Sequence, residues 1–248
     1  MLKRFRKIKT KVGRTVAKRT IPASPFYKRY PYGGKLTILT ADRQGLFDPD
    51  HGFFYNRIAK SANSTVTINL AQLKFREKFQ LAGAKKQLLQ SDTLLRPSQL
   101  TVDQVDSISN VFAFTFVRNP YSRVLSAYLD KVATGKKNIG KRGNIPTFCE
   151  FCDLLEDGWL YADLHWAPQT SSLVMPTSEF DFIGRVENFA EDFQKVWDRI
   201  SGGRQISNTI HRSQSRTDAT SKADDYYDKR SRGIVSSLYA EDFEAFGY

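Results

Sequence analysis

The run from Val111 to Val117 constrains this chain more than any other segment, because it is apolar at nearly every position and stops at Arg118-Asn119-Pro120. Such a run predicts a strand buried on both faces, as in the interior of a parallel sheet. Proline suits the first position of a helix, where its missing N–H costs nothing, and Tyr121 to Val132 continues with helical patterning. The same passage occurs twice more. Phe53, Phe54, Tyr55, Ile58 and Ala59 read as a strand entering the polar turn Lys60-Ser61-Ala62-Asn63-Ser64, with a helix from Thr65 to about Gln80. Phe180, Phe182 and Ile183 read as a strand, and Phe189 to Ile200 as a helix. Three strand-to-helix passages predict an α/β fold, a single domain whose parallel sheet is flanked by helices on both faces. The polar stretch from Ser201 to Asp225 reads as a loop, and Tyr226 to Phe246 as helical.

The segment Ile21 to Gly34 carries Pro22, Pro25, Pro31 and the pair Gly33-Gly34, which break helix continuity and read as a linker. The chain therefore divides into a basic leader and linker, residues 1–34, and a domain over 35–248. The formal net charge of +12 suggests a nucleic-acid partner until it is located. Twelve of the 38 Lys and Arg residues precede the first acid, Asp42, leaving 26 bases against 26 acids. The excess belongs to the leader, so the domain is not expected to bind nucleic acid. Leu2, Phe5, Ile8, Val12 and Val16 recur three or four apart and form an apolar stripe on a cationic helix. That pattern predicts peripheral contact with an anionic membrane through residues 1–19, with a docked or solubilising tail as the alternative.

No run approaches the roughly 18 apolar residues of a spanning helix, and the start lacks the apolar core of a secretory signal. The two cysteines, Cys149 and Cys152, are too few for a disulfide scaffold or a four-cysteine zinc site. Beside Phe148 and Phe151 they fit reduced core thiols better than a redox pair. The expectation is a cytoplasmic protein, at most peripheral to a membrane, with its oligomeric state left open.

In an open α/β sheet ligands bind at the carboxyl ends of the strands, where both polar turns fall. The first turn offers helix-start amides, the hydroxyls of Ser61, Ser64 and Thr65, and the ammonium of Lys60, all suited to phosphate or sulfate. The second offers Arg118 at a strand end, with Ser126 just over two helical turns later. Each has a plainer reading: Ser61 or Ser64 as a helix cap, Arg118 as a surface ion-pair partner, Ser126 as an ordinary helix residue. Two such turns in one sheet favour an anion site. The usual nucleotide loops, G-x-x-x-x-G-K-[ST] and G-x-G-x-x-G after a strand, do not occur.

The segment Tyr55-Asn56-Arg57-Ile58-Ala59-Lys60-Ser61-Ala62-Asn63-Ser64-Thr65 resembles the 5′-phosphosulfate motif of the carbohydrate sulfotransferases, especially the uronyl 2-O-sulfotransferases. Phe116 to Tyr128 resembles the family's 3′-phosphate motif, R-[DN]-P-x-x-R-x-x-S-x-[YF]. His165 to Gln169, Asp181 to Glu187 and Tyr239 to Tyr248 are similar to segments of the HNK-1 and chondroitin/dermatan sulfotransferases. The resemblance implies a P-loop-NTPase-like sulfotransferase fold and an enzyme that moves a sulfuryl group from 3′-phosphoadenosine 5′-phosphosulfate (PAPS) to a hydroxyl acceptor, a glycan or glycolipid. It implies that Lys60, Ser61, Asn63, Ser64 and Thr65 hold the 5′-phosphosulfate, with Arg57 adding charge nearby. It implies that Arg118 and Ser126 hold the 3′-phosphate. Trp166, Pro168 and Gln169 are expected to shape the site or pack beneath it.

Sulfuryl transfer needs no metal; it needs in-line positioning, neutralisation of charge on the leaving phosphate oxygen, and a base for the acceptor proton. Lys60 is expected to supply the charge. The uronyl 2-O-sulfotransferases place a catalytic histidine between the two motifs, whereas this chain has no histidine from Phe53 to Leu164. His165 is the preferred base, with a structural histidine as the alternative; His51 and His211 come next, then Glu77 and Glu150. The competing function is a sulfotransferase-fold protein that has lost catalysis and binds a membrane surface or polyanion.

Overall fold

The computed structural model describes residues 15–75, 80–90, 94–140, 144–203 and 217–248. Its centre is a four-stranded sheet in the order β1 (Gly45–Asp48), β2 (Phe53–Asn56), β3 (Phe112–Val117) and β4 (Phe182–Arg185). The three expected strands β2, β3 and β4 run parallel, Tyr55 pairing with Phe114 and Phe114 with Phe182. One strand was not foreseen. β1 pairs antiparallel with β2 across the turn at 49–52, Leu46 opposite Tyr55.

Alternate residues of β2 and β3 serve two cores, as the two-residue period of a strand requires. Phe53, Tyr55, Phe114 and Phe116 meet helix α1 (Asn63–Phe75), through Val66 and Leu70, and helix α5 (Phe189–Ile200), through Phe193 and Trp197. Gly184 on β4 is required by this packing, since a Cβ there would stand 2.5 Å from the Phe116 ring. The opposite face presents Phe54 and Ala113 to Phe26, Tyr27, Val105 and Ile108. Phe26 stacks on Phe54 with ring centroids 5.8 Å apart. Residues 21–34 thus do more than connect: Ile21, Phe26, Tyr27 and Tyr30 are buried against the sheet despite the proline and glycine around them. The leader's residues 1–14 lie outside the described segments; 15–20 are helical and Val16 is exposed.

Helix α2 (Ala84–Gln90) packs on α1. Helix α3 (Pro120–Ala127) begins with proline at its first turn, is capped by the Asn119 side chain, and continues as a π-helical turn over Tyr128–Val132. It forms a third core with α4 (Phe148–Leu154) and α6 (Lys229–Leu238), which α7 (Ala240–Phe246) follows. Cys152 is buried there and Cys149 half-buried, both as free thiols. Among the described residues no helix is long and apolar enough to cross a membrane.

Candidate functional site

Because β2, β3 and β4 are parallel, their carboxyl ends share one edge of the sheet, and a cleft of about 890 Å³ opens there. That volume suits a ligand of nucleotide size.

The first wall is the turn after β2. Lys60 (φ 68°) and Ala62 (φ 52°) adopt the left-handed conformation, as does Asp218 (φ 45°) across the cleft. These are the positive-φ residues other than glycine among those described, and all three line the cleft. Such backbone costs of order 1–3 kcal/mol per residue and collects where function requires it. The bent turn starts α1 on the cleft wall, with Asn63, Ser64 and Thr65 lining it. The first amides of a helix lack internal partners and favour an anion. Lys85 of α2 reaches Ser64 Oγ at 2.9 Å. Lys60 Nζ lies 3.1 Å from Asp130 Oδ2. Burial lowers the Lys60 pKa, the Asp130 carboxylate opposes that, and the charges of Lys131 and Arg118 add to the lowering.

The second wall follows β3. Arg118 Nε donates to Ser122 Oγ at 2.9 Å, and its Nη2 to Thr220 Oγ1 at 3.2 Å. Burial lowers the Arg118 pKa, a sign that the guanidinium is short of water. Ser126 Oγ is 3.0 Å from Thr217 Oγ1. Arg118 and Ser126 therefore share one cavity, and each touches the 217–220 segment.

The third wall carries His165. Its Nδ1 bonds to Asp163 Oδ1, whose other oxygen is 2.7 Å from Lys137 Nζ. A carboxylate can only accept, so Nδ1 carries the hydrogen of this bond, and in the neutral ring Nε2 is then the acceptor nitrogen. Burial pushes Asp163 up, but the hydrogen bonds from His165 and Lys137 outweigh it and hold the carboxyl well below the usual range.

Two buried side chains join the walls from behind. Gln169 Oε1 accepts from Ser61 Oγ and from the Arg118 amide, both at 2.9 Å, and its Nε2 donates to the Arg118 carbonyl at 2.9 Å. Arg123, fully buried, donates to the carbonyls of Ala59 (2.9 Å), Ala167 (2.8 Å) and Leu164 (3.3 Å). A charge so buried is tolerated because carbonyl oxygens meet its N–H groups. The expectation that Gln169 packs beneath the site thus describes its position.

Lys60, Asn63, Ser64, Thr65, Arg118, Ser126 and His165 come together in the cleft; Arg57 and Ser61 do not line it. Ser61 is fully buried and turned toward Gln169, because the left-handed residues on either side rotate it inward. The Arg57 guanidinium turns toward β1 and donates to the Arg43 carbonyl; burial lowers its pKa to about 10. His51 precedes β2, at the amino end of a strand whose carboxyl end meets the cleft, and bonds to Asp48 at 2.9 Å. Glu150 is occupied in a capping box with Thr147. Glu77 and His211 lie outside the described residues. The cleft also holds Lys85, Asp130, Lys131, Lys136, Thr217 and Thr220, which the sequence reading passed over. Only Asp130 left a trace there, four residues beyond Ser126 and hence on the same helix face.

An uncharacterized protein of Archaeoglobus fulgidus is 33% identical over 87 residues, which cover 35% of this chain and 65% of that relative, just under two thirds of its length. No solved structure matches the chain. The model of the sulfotransferase family matches residues 43–248, the span that contains the whole sheet and every wall of the cleft, and the chain therefore belongs to the sulfotransferase family.

Proposed function

We propose that this sulfotransferase uses PAPS as donor and a carbohydrate hydroxyl as acceptor. The observation that carries the reading is the meeting of the Lys60 turn with Arg118 and Ser126 in one cleft. Among the described residues, five cations line that cleft, Lys60, Lys85, Arg118, Lys131 and Lys136, against the acids Asp130 and Asp218. Such a lining fits a ligand with phosphate at both ends. Lys60 with Asn63, Ser64 and Thr65 holds the phosphosulfate end, and Arg118 with Ser126 holds the 3′-phosphate. Ser61 ties the turn to Gln169 from outside the cleft.

The donor supplies the sulfuryl group. The chain positions it, neutralises charge and takes one proton. Lys60 stabilises the negative charge left on the phosphate oxygen. His165 Nε2 accepts the proton of the acceptor hydroxyl, and Asp163 holds the ring in that tautomer and stabilises the imidazolium. Proton removal and charge neutralisation fall to two different residues of one cleft, His165 and Lys60.

The apolar stripe on the cationic leader supports peripheral docking on an anionic membrane at the cytoplasmic face, which would suit a lipid-linked sugar as acceptor. The test of the reaction is incubation with radiolabelled PAPS and a set of glycan, glycolipid, protein and steroid acceptors. Label in a sugar hydroxyl is expected. Label found only in inorganic sulfate, or in a protein or steroid acceptor, would contradict the carbohydrate assignment.

A further inference from the structure

Asp130 is out of place in an anion cleft. Its carboxylate holds three lysines at once: Lys60 at 3.1 Å, Lys131 at 3.0 Å and Lys136 at 2.9 Å. It stands on the π-helical turn Tyr128–Val132, one turn beyond Ser126 on the same helix face, and is itself buried. The Thr134 hydroxyl donates to its carbonyl at 2.6 Å, tying the turn that carries Lys136 back to it. Burial works to protonate the carboxyl, but the hydrogen bonds from Lys136, Lys131 and Lys60 outweigh it and hold the group firmly ionised.

A bound anion therefore meets a resident one. The Lys60 ammonium is almost withdrawn from water, with 11% of its side chain exposed, and an unpaired ammonium there would be costly. Asp130 removes that cost while the cleft is empty of ligand. When the phosphates of a donor or product enter, the same lysines serve both anions, and the fixed carboxylate repels the newcomer in a cleft of reduced dielectric.

We propose that Asp130 is a built-in competitor for the lysines of the anion site, weakening the hold on the nucleotide product and hastening its release. The proposal rests on the reading of the cleft as a PAPS site. It makes Asp130 a regulator of affinity, and neither proton acceptor nor donor ligand. The sign of its effect separates it from a plain supporting role: if Asp130 merely aimed Lys60, its loss would weaken binding.

The test is calorimetric titration of the full chain with adenosine 3′,5′-bisphosphate in wild type, Asp130→Asn, Asp130→Ser and Asp130→Glu, with stopped-flow dissociation rates. Asn and Ser remove the charge, and either decides the matter if the other fails to fold. The expected result is about tenfold tighter binding, equivalent to about 1.4 kcal/mol, and slower dissociation in the neutral variants, with wild-type behaviour in Asp130→Glu. Weaker or unchanged binding in a folded neutral variant overturns the proposal. If wild type itself fails to bind the bisphosphate, the PAPS reading fails first, a separate and distinguishable outcome.

Discussion

The side-chain amide of Gln169 pairs with the main chain of Arg118 at both ends, Oε1 accepting from its N–H and Nε2 donating to its carbonyl, each at 2.9 Å. The same Oε1 accepts from Ser61 Oγ, so one buried residue fixes the distance between the two turns of the cleft.

Gln169→Leu conserves much of the volume and leaves Ser61 Oγ and both main-chain groups of Arg118 without this partner. A buried polar group stripped of its partner costs about 1–3 kcal/mol. Urea denaturation is expected to show a loss of about 2–4 kcal/mol, accompanied by weaker nucleotide binding. Unchanged stability would show that the two turns are held independently.

Arg118→Ala is expected to weaken adenosine 3′,5′-bisphosphate by about 10–100-fold, the worth of a charge-assisted hydrogen bond of about 1.5–3 kcal/mol. Adenosine 5′-phosphosulfate, which has no 3′-phosphate, should bind the variant nearly as well as it binds wild type. Equal losses on the two ligands would remove Arg118 from the 3′-phosphate.

The sequence announced β3 because both its faces are buried, which leaves a run apolar at every position but Thr115. It did not announce β1, whose four residues are too few to show a period and whose pairing with β2 is made by the turn at 49–52. Residues 21–34 look like breakers because proline and glycine report local backbone preference. That Phe26 lies on Phe54 is a tertiary fact no local preference contains. In the site, Ser61 and Ser64 are equivalent as letters. They differ in space because Lys60 and Ala62 take positive φ, a conformation that only glycine signals from sequence. Thr217 and Thr220 reach Ser126 and Arg118 across 91 and 102 residues, a distance over which spacing carries no information.

His165→Gln is expected to lower kcat by about 10²–10⁴-fold, the usual contribution of a general base, with bisphosphate affinity unchanged. Asp163→Asn should also lower kcat, since the ring loses the group that fixes its tautomer. A His165→Gln enzyme with wild-type kcat would move the base elsewhere.

Asp163 and Asp130 both ionise more readily folded than unfolded, because the hydrogen bonds from His165 and Lys137 and from the three lysines outweigh burial. The unfolded chain, with carboxyl pKa values near ~3.9, therefore takes up protons first as pH falls. Their stabilisation is complete above that value and is lost progressively below it. Thermal unfolding followed from pH 6 to pH 3 should show a smaller decline in Asp163→Asn than in wild type. Parallel declines would mean that the Lys137–Asp163–His165 contacts contribute no net stability.

The most direct test of the central claim is calorimetric titration of the full chain with adenosine 3′,5′-bisphosphate beside ATP. The claim that Lys60 and Arg118 grip opposite ends of one donor predicts micromolar binding of the bisphosphate and at least about tenfold weaker binding of ATP, which has no 3′-phosphate for Arg118 and Ser126. Equal affinity for the two nucleotides, or no binding of the bisphosphate, would contradict it.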